Sequence, residues 1–196
     1  MKPYAGSCDQ NKDAILAILK EILADNAEVL EIGSCTGQHA VYFGEKLPHL
    51  TWQCSDQTLY HEGMHQWLDE AALTNVLPPL ALNVSTDTWP EKQYDAIYSA
   101  NITHIMHWDN VIDLFTQGAK CLKSGGQLIC YGPFNYSGKF TSDSNMQFDQ
   151  TLRMRDPQSG IRDLDDLTKL ATENGLTLDH DYEMPANNRI LVWQKQ

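Results

Sequence analysis

The 196-residue sequence predicts an α/β, Rossmann-like fold in which a mostly parallel, seven-stranded sheet carries helices on both faces. Three observations carry that expectation. Apolar runs of strand length alternate with helical stretches along most of the chain, and a strand, a glycine-bearing turn and a helix start follow one another at 29–40. Glu31, Asp56, Asn83 and Asn101 then fall at the ends of successive strands, where such a sheet opens its ligand crevice. With 42% hydrophobic and 20% charged residues there is enough apolar material for a substantial core, so residues 1–196 read as one domain.

The elements follow in order. Ile15, Leu16, Ile18, Leu19, Ile22 and Leu23 recur at helical spacing and predict an amphipathic helix over 11–23, with Asp9 or Asn11 as its cap. Strand 1 covers about 27–32, Thr36 to Lys46 is helical and stops before Pro48, and 50–56 is the second strand. A helix over 60–73 precedes a short third strand, 80–84, and the turn formers of 85–90 lead into a fourth, 94–99. Helical spacing from Trp108 to Leu122 meets a sharp stop at Ser124-Gly125-Gly126, and 127–132 is the fifth strand. Residues 133–163 mix turn formers with aromatics and show little periodicity; a stretch of that length predicts a lid. A helix over 164–174 and closing strands near 176–183 and 189–194 follow.

The run Val29-Leu30-Glu31-Ile32-Gly33-Ser34-Cys35-Thr36-Gly37-Gln38-His39-Ala40 has the form of a nucleotide-type cofactor site. Gly33 and Gly37 let the backbone approach a ligand closely and aim helix N–H groups at it, with Ser34 in the same turn. A dinucleotide fingerprint starting at Gly33 would need glycines where Cys35 and Gln38 stand, and Glu31 repels phosphate but attracts an ammonium. The pattern therefore points to S-adenosyl-L-methionine (SAM), which has no phosphate, and away from NAD. A ligand-free strand-to-helix connection is the plainer alternative.

A formal net charge of −12 opposes binding to nucleic acid or to an anionic membrane surface, and no apolar stretch approaches the length of a membrane span or a signal-peptide core. A small-molecule substrate and a cytoplasmic location are the expectation. Five cysteines without a C-x-x-C pair read as reduced thiols, and the seven histidines show no metal-site spacing, so no metal is expected.

The order of these motifs resembles class I SAM-dependent methyltransferases over nearly the whole chain. Asn11-Lys12, Gly37-Gln38-His39-Ala40, Leu50-Thr51-Trp52-Gln53, Asn75-Val76-Leu77-Pro78-Pro79-Leu80, Tyr131-Gly132-Pro133-Phe134, Arg155-Asp156-Pro157, Gly160-Ile161-Arg162-Asp163 and Met184-Pro185-Ala186-Asn187-Asn188 are similar to one branch, the family of unknown function that contains animal methyltransferase-like protein 26. The resemblance implies a cofactor more directly than a substrate. It places Glu31, Gly33 and Gly37 around the methionine portion of SAM, and Asp56 where a carboxylate accepts from both ribose hydroxyls; Asp56 reads otherwise as a strand-end cap. Asn83 stands where the class often has an aspartate for the adenine amino group, and Cys35 where both class and branch usually have glycine.

After strand 4, Asn101 and His104 fall where methyltransferases keep residues near the transferring methyl. His104 is either a general base or a packing residue, and His107 lies one helical turn further on. Tyr131, Phe134 and Tyr136 are either a substrate wall or core, and Tyr131 joins His104 and Asn101 as a catalytic candidate. Arg153, Arg155 and Arg162 either hold a substrate carboxylate or fasten the lid to Asp156 and Asp163. Methyl transfer needs alignment more than acid or base, in keeping with a chain that shows no catalytic triad. The leading expectation is thus a methyltransferase for a small molecule, the alternative a SAM-binding sensor or interaction protein without transferase activity.

Overall fold

A computed structural model describes residues 2–196. Its chain order is α1 (Gly6–Ile22), β1 (Glu28–Ile32), α2 (Gln38–Lys46), β2 (Thr51–Asp56), α3 (Thr58–Ala71), β3 (Val76–Ala81), β4 (Tyr94–Ala100), α4 (Trp108–Cys121), β5 (Leu122–Gly132), β6 (Phe134–Asn135), α5 (Asp143–Arg155), β7 (Arg162–Asp163), α6 (Leu164–Glu173), β8 (Leu176–Met184) and β9 (Asn188–Lys195). The main sheet has the seven-stranded order β3-β2-β1-β4-β5-β9-β8. Its first five strands run parallel, and β9 pairs antiparallel with both β5 and β8.

Alternation along the strands divides the apolar residues between two cores, as a sheet covered on both faces requires. Leu30 and Ile32 of β1 join Val111, Leu114 and Phe115 of α4 and Leu167, Leu170 and Ala171 of α6 on one face. Val29 faces the other way, toward Ile15, Leu16 and Leu19 of α1, Ala40 and Phe43 of α2 and Met64 of α3. Strand order reverses between β1 and β4, so the carboxyl ends of β1, β2 and β4 border one crevice.

Four boundaries depart from the sequence reading. Helix α1 begins at Gly6, before both expected caps, and its N-cap Ala5 is held from outside: the Ala5 N–H donates to Oε1 of Gln38 at 2.6 Å. The third strand is Val76–Ala81 and contains Pro78 and Pro79, which an edge strand tolerates. Strand β5 starts at Leu122, and its register slips between Tyr94 and Ala96 of its partner, where Gly125 takes φ +75°. The 133–163 segment is not aperiodic: it contains a short parallel pair, β6 with β7, and the thirteen-residue α5. The Ser142 hydroxyl caps α5 by accepting from the Asn145 N–H.

Candidate functional site

Two cavities flank the loop after β4 at the carboxyl ends of the central strands. The smaller, about 320 Å³, is bordered by Gly33 and Cys35 of the turn, Asp56 at the end of β2, Asn83 after β3, and Ile102 and His107 after β4. The larger, about 600 Å³, is bordered by Asn101, His104 and Tyr131, and receives Asn11 from α1 and Asn145 and Phe148 from α5.

Gly33 needs to be glycine for two reasons. It takes φ +74°, and a Cβ there would lie 2.7 Å from Cγ2 of Ile102. The turn is fastened to β2, since the Gly33 and Ser34 N–H groups both donate to the Ser55 carbonyl at 3.1 and 3.0 Å. Asp56 fastens it further: Oδ2 accepts the Cys35 N–H and Oδ1 the Gln57 N–H, each at 2.7 Å. Each carboxylate oxygen has a second acceptor site, so the cap and a ribose-binding role are compatible. Burial raises the pKa of Asp56 and these two bonds oppose it. Asn83 borders the same cavity, with its Oδ1 accepting from the Ser85 N–H at 3.1 Å. Cys35 takes φ +51°, a conformation costly for a non-glycine residue, and burial together with Asp56 raises its thiol pKa, the reverse of an activated nucleophile.

Three residues expected at the cofactor, Glu31, Ser34 and Gly37, border neither cavity. Glu31 is 2% exposed and borders neither cavity; its Oε2 accepts from Ser34 Oγ at 2.8 Å and from Trp52 Nε1 at 3.0 Å. Desolvation by burial pushes its pKa to about 7, against the two hydrogen bonds. The Ser34 hydroxyl is spent on Glu31 and on the Ser55 N–H, at 3.2 Å. Gly37 takes φ +83° at the N-cap of α2, where a Cβ would stand 3.2 Å from Leu68 Cδ1, so it serves the packing of α2 on α3.

The loop after β4 is the best-anchored part of the site. Asn101 takes φ +59° and donates its N–H to the Tyr131 carbonyl at 2.8 Å. Arg162 donates Nε to the Thr103 carbonyl at 3.0 Å and reaches the Met106 carbonyl, while the His104 and Ile105 carbonyls accept from Gly160 N–H and Ser159 Oγ at 2.9 and 3.0 Å. Arg162 therefore fastens the end of the 133–163 segment to backbone, not to Asp156 or Asp163. Arg153 pairs with Asp149 at 2.7 Å, and Asp156 takes His107 at 2.7 Å.

His104 is 4% exposed, its Nδ1 has no partner among the described residues, and its ring meets Phe148 edge-on at 5.3 Å between centroids. Burial, with Arg162 adding to it, lowers its pKa to about 4, so the ring is neutral near pH 7. A Cβ on Gly132 would sit 3.6 Å from Nδ1 of His104 and 3.8 Å from Oδ1 of Asn101, which puts both polar atoms around one point. Tyr131 borders the cavity, its phenol pKa raised by burial and lowered by Asn11 and Asn188. Phe134 belongs wholly to the core, and Tyr136 donates to Asp181 at 2.8 Å.

Sequence reasoning missed the contribution of α1. The Asn11 Oδ1 accepts from Nε2 of His39 at 2.8 Å in a buried pair, which with the Ala5–Gln38 bond holds α1 against α2 beside the larger cavity. Asn145 was hidden because α5 has no apolar stripe; only the Ser142 cap signalled that helix, and Phe148 was legible only as one of the aromatics of 133–163.

The sheet order is that of a Rossmann-like methyltransferase fold. Among solved structures, an O-methyltransferase family 2 protein from Planctomyces limnophilus DSM 3776 in complex with apigenin matches 98% of this chain and 58% of its own, at 14% identity and TM-score 0.85. The S-adenosylmethionine-dependent methyltransferase SibL, in its apo form, matches 96% of this chain and 55% of its own, at 18% identity and TM-score 0.82. PigF with SAH matches 93% and 61%, at 11% identity and TM-score 0.79. The chain thus spans little more than half the length of these structures, and the likeness is one of fold. By sequence, the chain belongs to the family described as "Protein of unknown function (DUF938)", whose model matches residues 2–195.

Proposed function

We propose that the chain is a SAM-dependent methyltransferase for a small-molecule acceptor. The observation that carries the reading is the pair of cavities on either side of the loop after β4, one with the Gly33 turn, Asp56 and Asn83, the other with Asn101, His104 and Tyr131. The smaller cavity suits a nucleoside. Leu82, Ile102 and Met106 give it apolar walls for a base, and Asp56 and Asn83 bring polar acceptors to its edge. Bound there, SAM would supply an activated methyl group on a sulfonium. The chain's own part is to hold the acceptor in line within a cavity closed by α1 and α5, with His104 neutral and able to accept a hydrogen bond. The likeness of the quoted sequence blocks to the family of animal methyltransferase-like protein 26, and the small-molecule ligand of the apigenin-bound structure, support the same reading. We extend it to a cytoplasmic location, which the odd set of five cysteines supports.

Calorimetry with SAM, S-adenosylhomocysteine and NAD tests the cofactor. Heat with the first two and none with NAD is expected; binding of NAD alone would overturn the assignment. Formation of S-adenosylhomocysteine on incubation with SAM and a metabolite extract tests turnover, and SAM binding without any such formation would assign the sensor alternative instead.

A further inference from the structure

The larger cavity is built from a narrow chemistry. In a chain that is 20% charged, none of its lining residues is Lys, Arg, Asp or Glu. Five carboxamides converge on it instead, Gln10 and Asn11 from α1, Asn101 after β4, Asn145 from α5 and Asn188 from β9. Ser7, Ser144 and Tyr131 add hydroxyls, and Phe148 adds an aromatic edge beside His104. Carboxamides and hydroxyls both donate and accept, which matches a ligand that does the same.

A charged ligand fares badly in such a place. A carboxylate or ammonium group moved out of water needs an opposite charge or a dense set of hydrogen bonds to recover its hydration, and no opposite charge lines this cavity. His104 does not supply one, because burial keeps its imidazole neutral near pH 7. Its Nδ1 is buried and unpartnered among the described residues, 3.6 Å from where a Cβ on Gly132 would stand, an unmet demand that a neutral ligand hydroxyl or amide brought to that point would meet.

We propose that the larger cavity selects an uncharged acceptor bearing hydroxyl or carboxamide groups, one of which hydrogen-bonds to His104. The selection rests on the cavity's being the acceptor site of the proposed methyltransferase, but the binding it predicts can be read without methyl transfer. It excludes free amino acids, organic acids and amines as acceptors, and it narrows an extract screen to its neutral fraction.

Saturation-transfer NMR on the full chain, with and without saturating S-adenosylhomocysteine, tests the selection using matched triplets: 2-phenylethanol, phenylacetate and phenethylamine; lactamide, lactate and alaninamide at pH 7. Transfer to phenylethanol and lactamide at least five-fold above their charged partners, lost in His104→Ala, is the expected result. Gln10 is exposed, so Gln10→Glu keeps the fold and should bring phenethylamine up to the level of phenylethanol. Equal or stronger transfer to a charged member, no transfer to any of the six, or neutral-fragment transfer that neither variant alters would overturn the proposal. S-adenosylhomocysteine binding with charged-fragment preference would sink the selection and leave the methyltransferase reading standing. Neutral preference without any S-adenosylhomocysteine binding would do the opposite.

Discussion

Replacing Glu31 by glutamine should remove most of one component of the pH dependence of stability. In the folded chain the carboxyl group is buried, with Trp52 Nε1 and Ser34 Oγ standing in for water, and its pKa rises from 4.5 to about 7. The folded state therefore keeps a proton that the unfolded chain releases above pH 4.5. The group's favourable contribution is complete below that pH and is lost as pH climbs through about 7. The difference between 4.5 and 7 corresponds to about 3 kcal/mol. A glutamine side-chain oxygen accepts from the same two donors and does not titrate. His39 and His104, both lowered to about 4 by burial, contribute the opposite slope, present above their unfolded pKa and lost as pH falls through 4. That slope is common to both proteins and cancels in their difference. Urea unfolding from pH 4.5 to 8 should show the gap in unfolding free energy widening by about 3 kcal/mol in favour of the Glu31→Gln variant. Parallel curves for the two proteins would refute the reasoning.

Three further outcomes follow from the site. Asp56→Ala removes a charged acceptor from the smaller cavity and should weaken SAM binding by about 1.5–3 kcal/mol in calorimetry, whereas unchanged affinity would leave Asp56 with only its capping role. His104→Gln should lower kcat by roughly 10²–10⁴-fold with SAM affinity nearly intact, and the acid limb of the wild-type profile should fall near pH 4, not near 6.5; full turnover in the variant would assign His104 to packing. In hydrogen exchange, S-adenosylhomocysteine with acceptor should protect the amides of α5 while those of 159–162, already tied to the loop after β4, stay unchanged; identical protection of α5 would make it a fixed wall.

The central strands are legible in the sequence because they are buried on both faces and read as continuous apolar runs, as in Val29-Leu30 and Ile97-Tyr98. Helix α5 is not, because Asn145, Asp149 and Leu152 are the buried residues of its thirteen and two of those are polar. The site divides on similar lines. Asp56, Asn83, Asn101 and His104 follow strand ends and do border the crevice. Glu31 and Ser34 share that position along the chain, yet their side chains turn inward to Trp52 and Ser55, a choice made by tertiary hydrogen bonds that spacing does not encode. Distance from a strand end locates a residue; it does not say under which surface its side chain goes.

Because Gln38 and His39 hold the leading helix through Ala5 and Asn11, one wall of the larger cavity is mechanically part of the helix that the glycine turn opens. A molecule that stiffens the turn stiffens that wall as well, so part of the ordering entropy of the second occupant is spent before it arrives. The two occupants should then help one another, and linkage requires the help to be mutual: the acceptor must raise the affinity for S-adenosylhomocysteine by the same factor as S-adenosylhomocysteine raises that for the acceptor. Equal affinities with and without the other molecule, measured by calorimetry, would show the two rooms to be thermodynamically deaf to each other despite their shared beam.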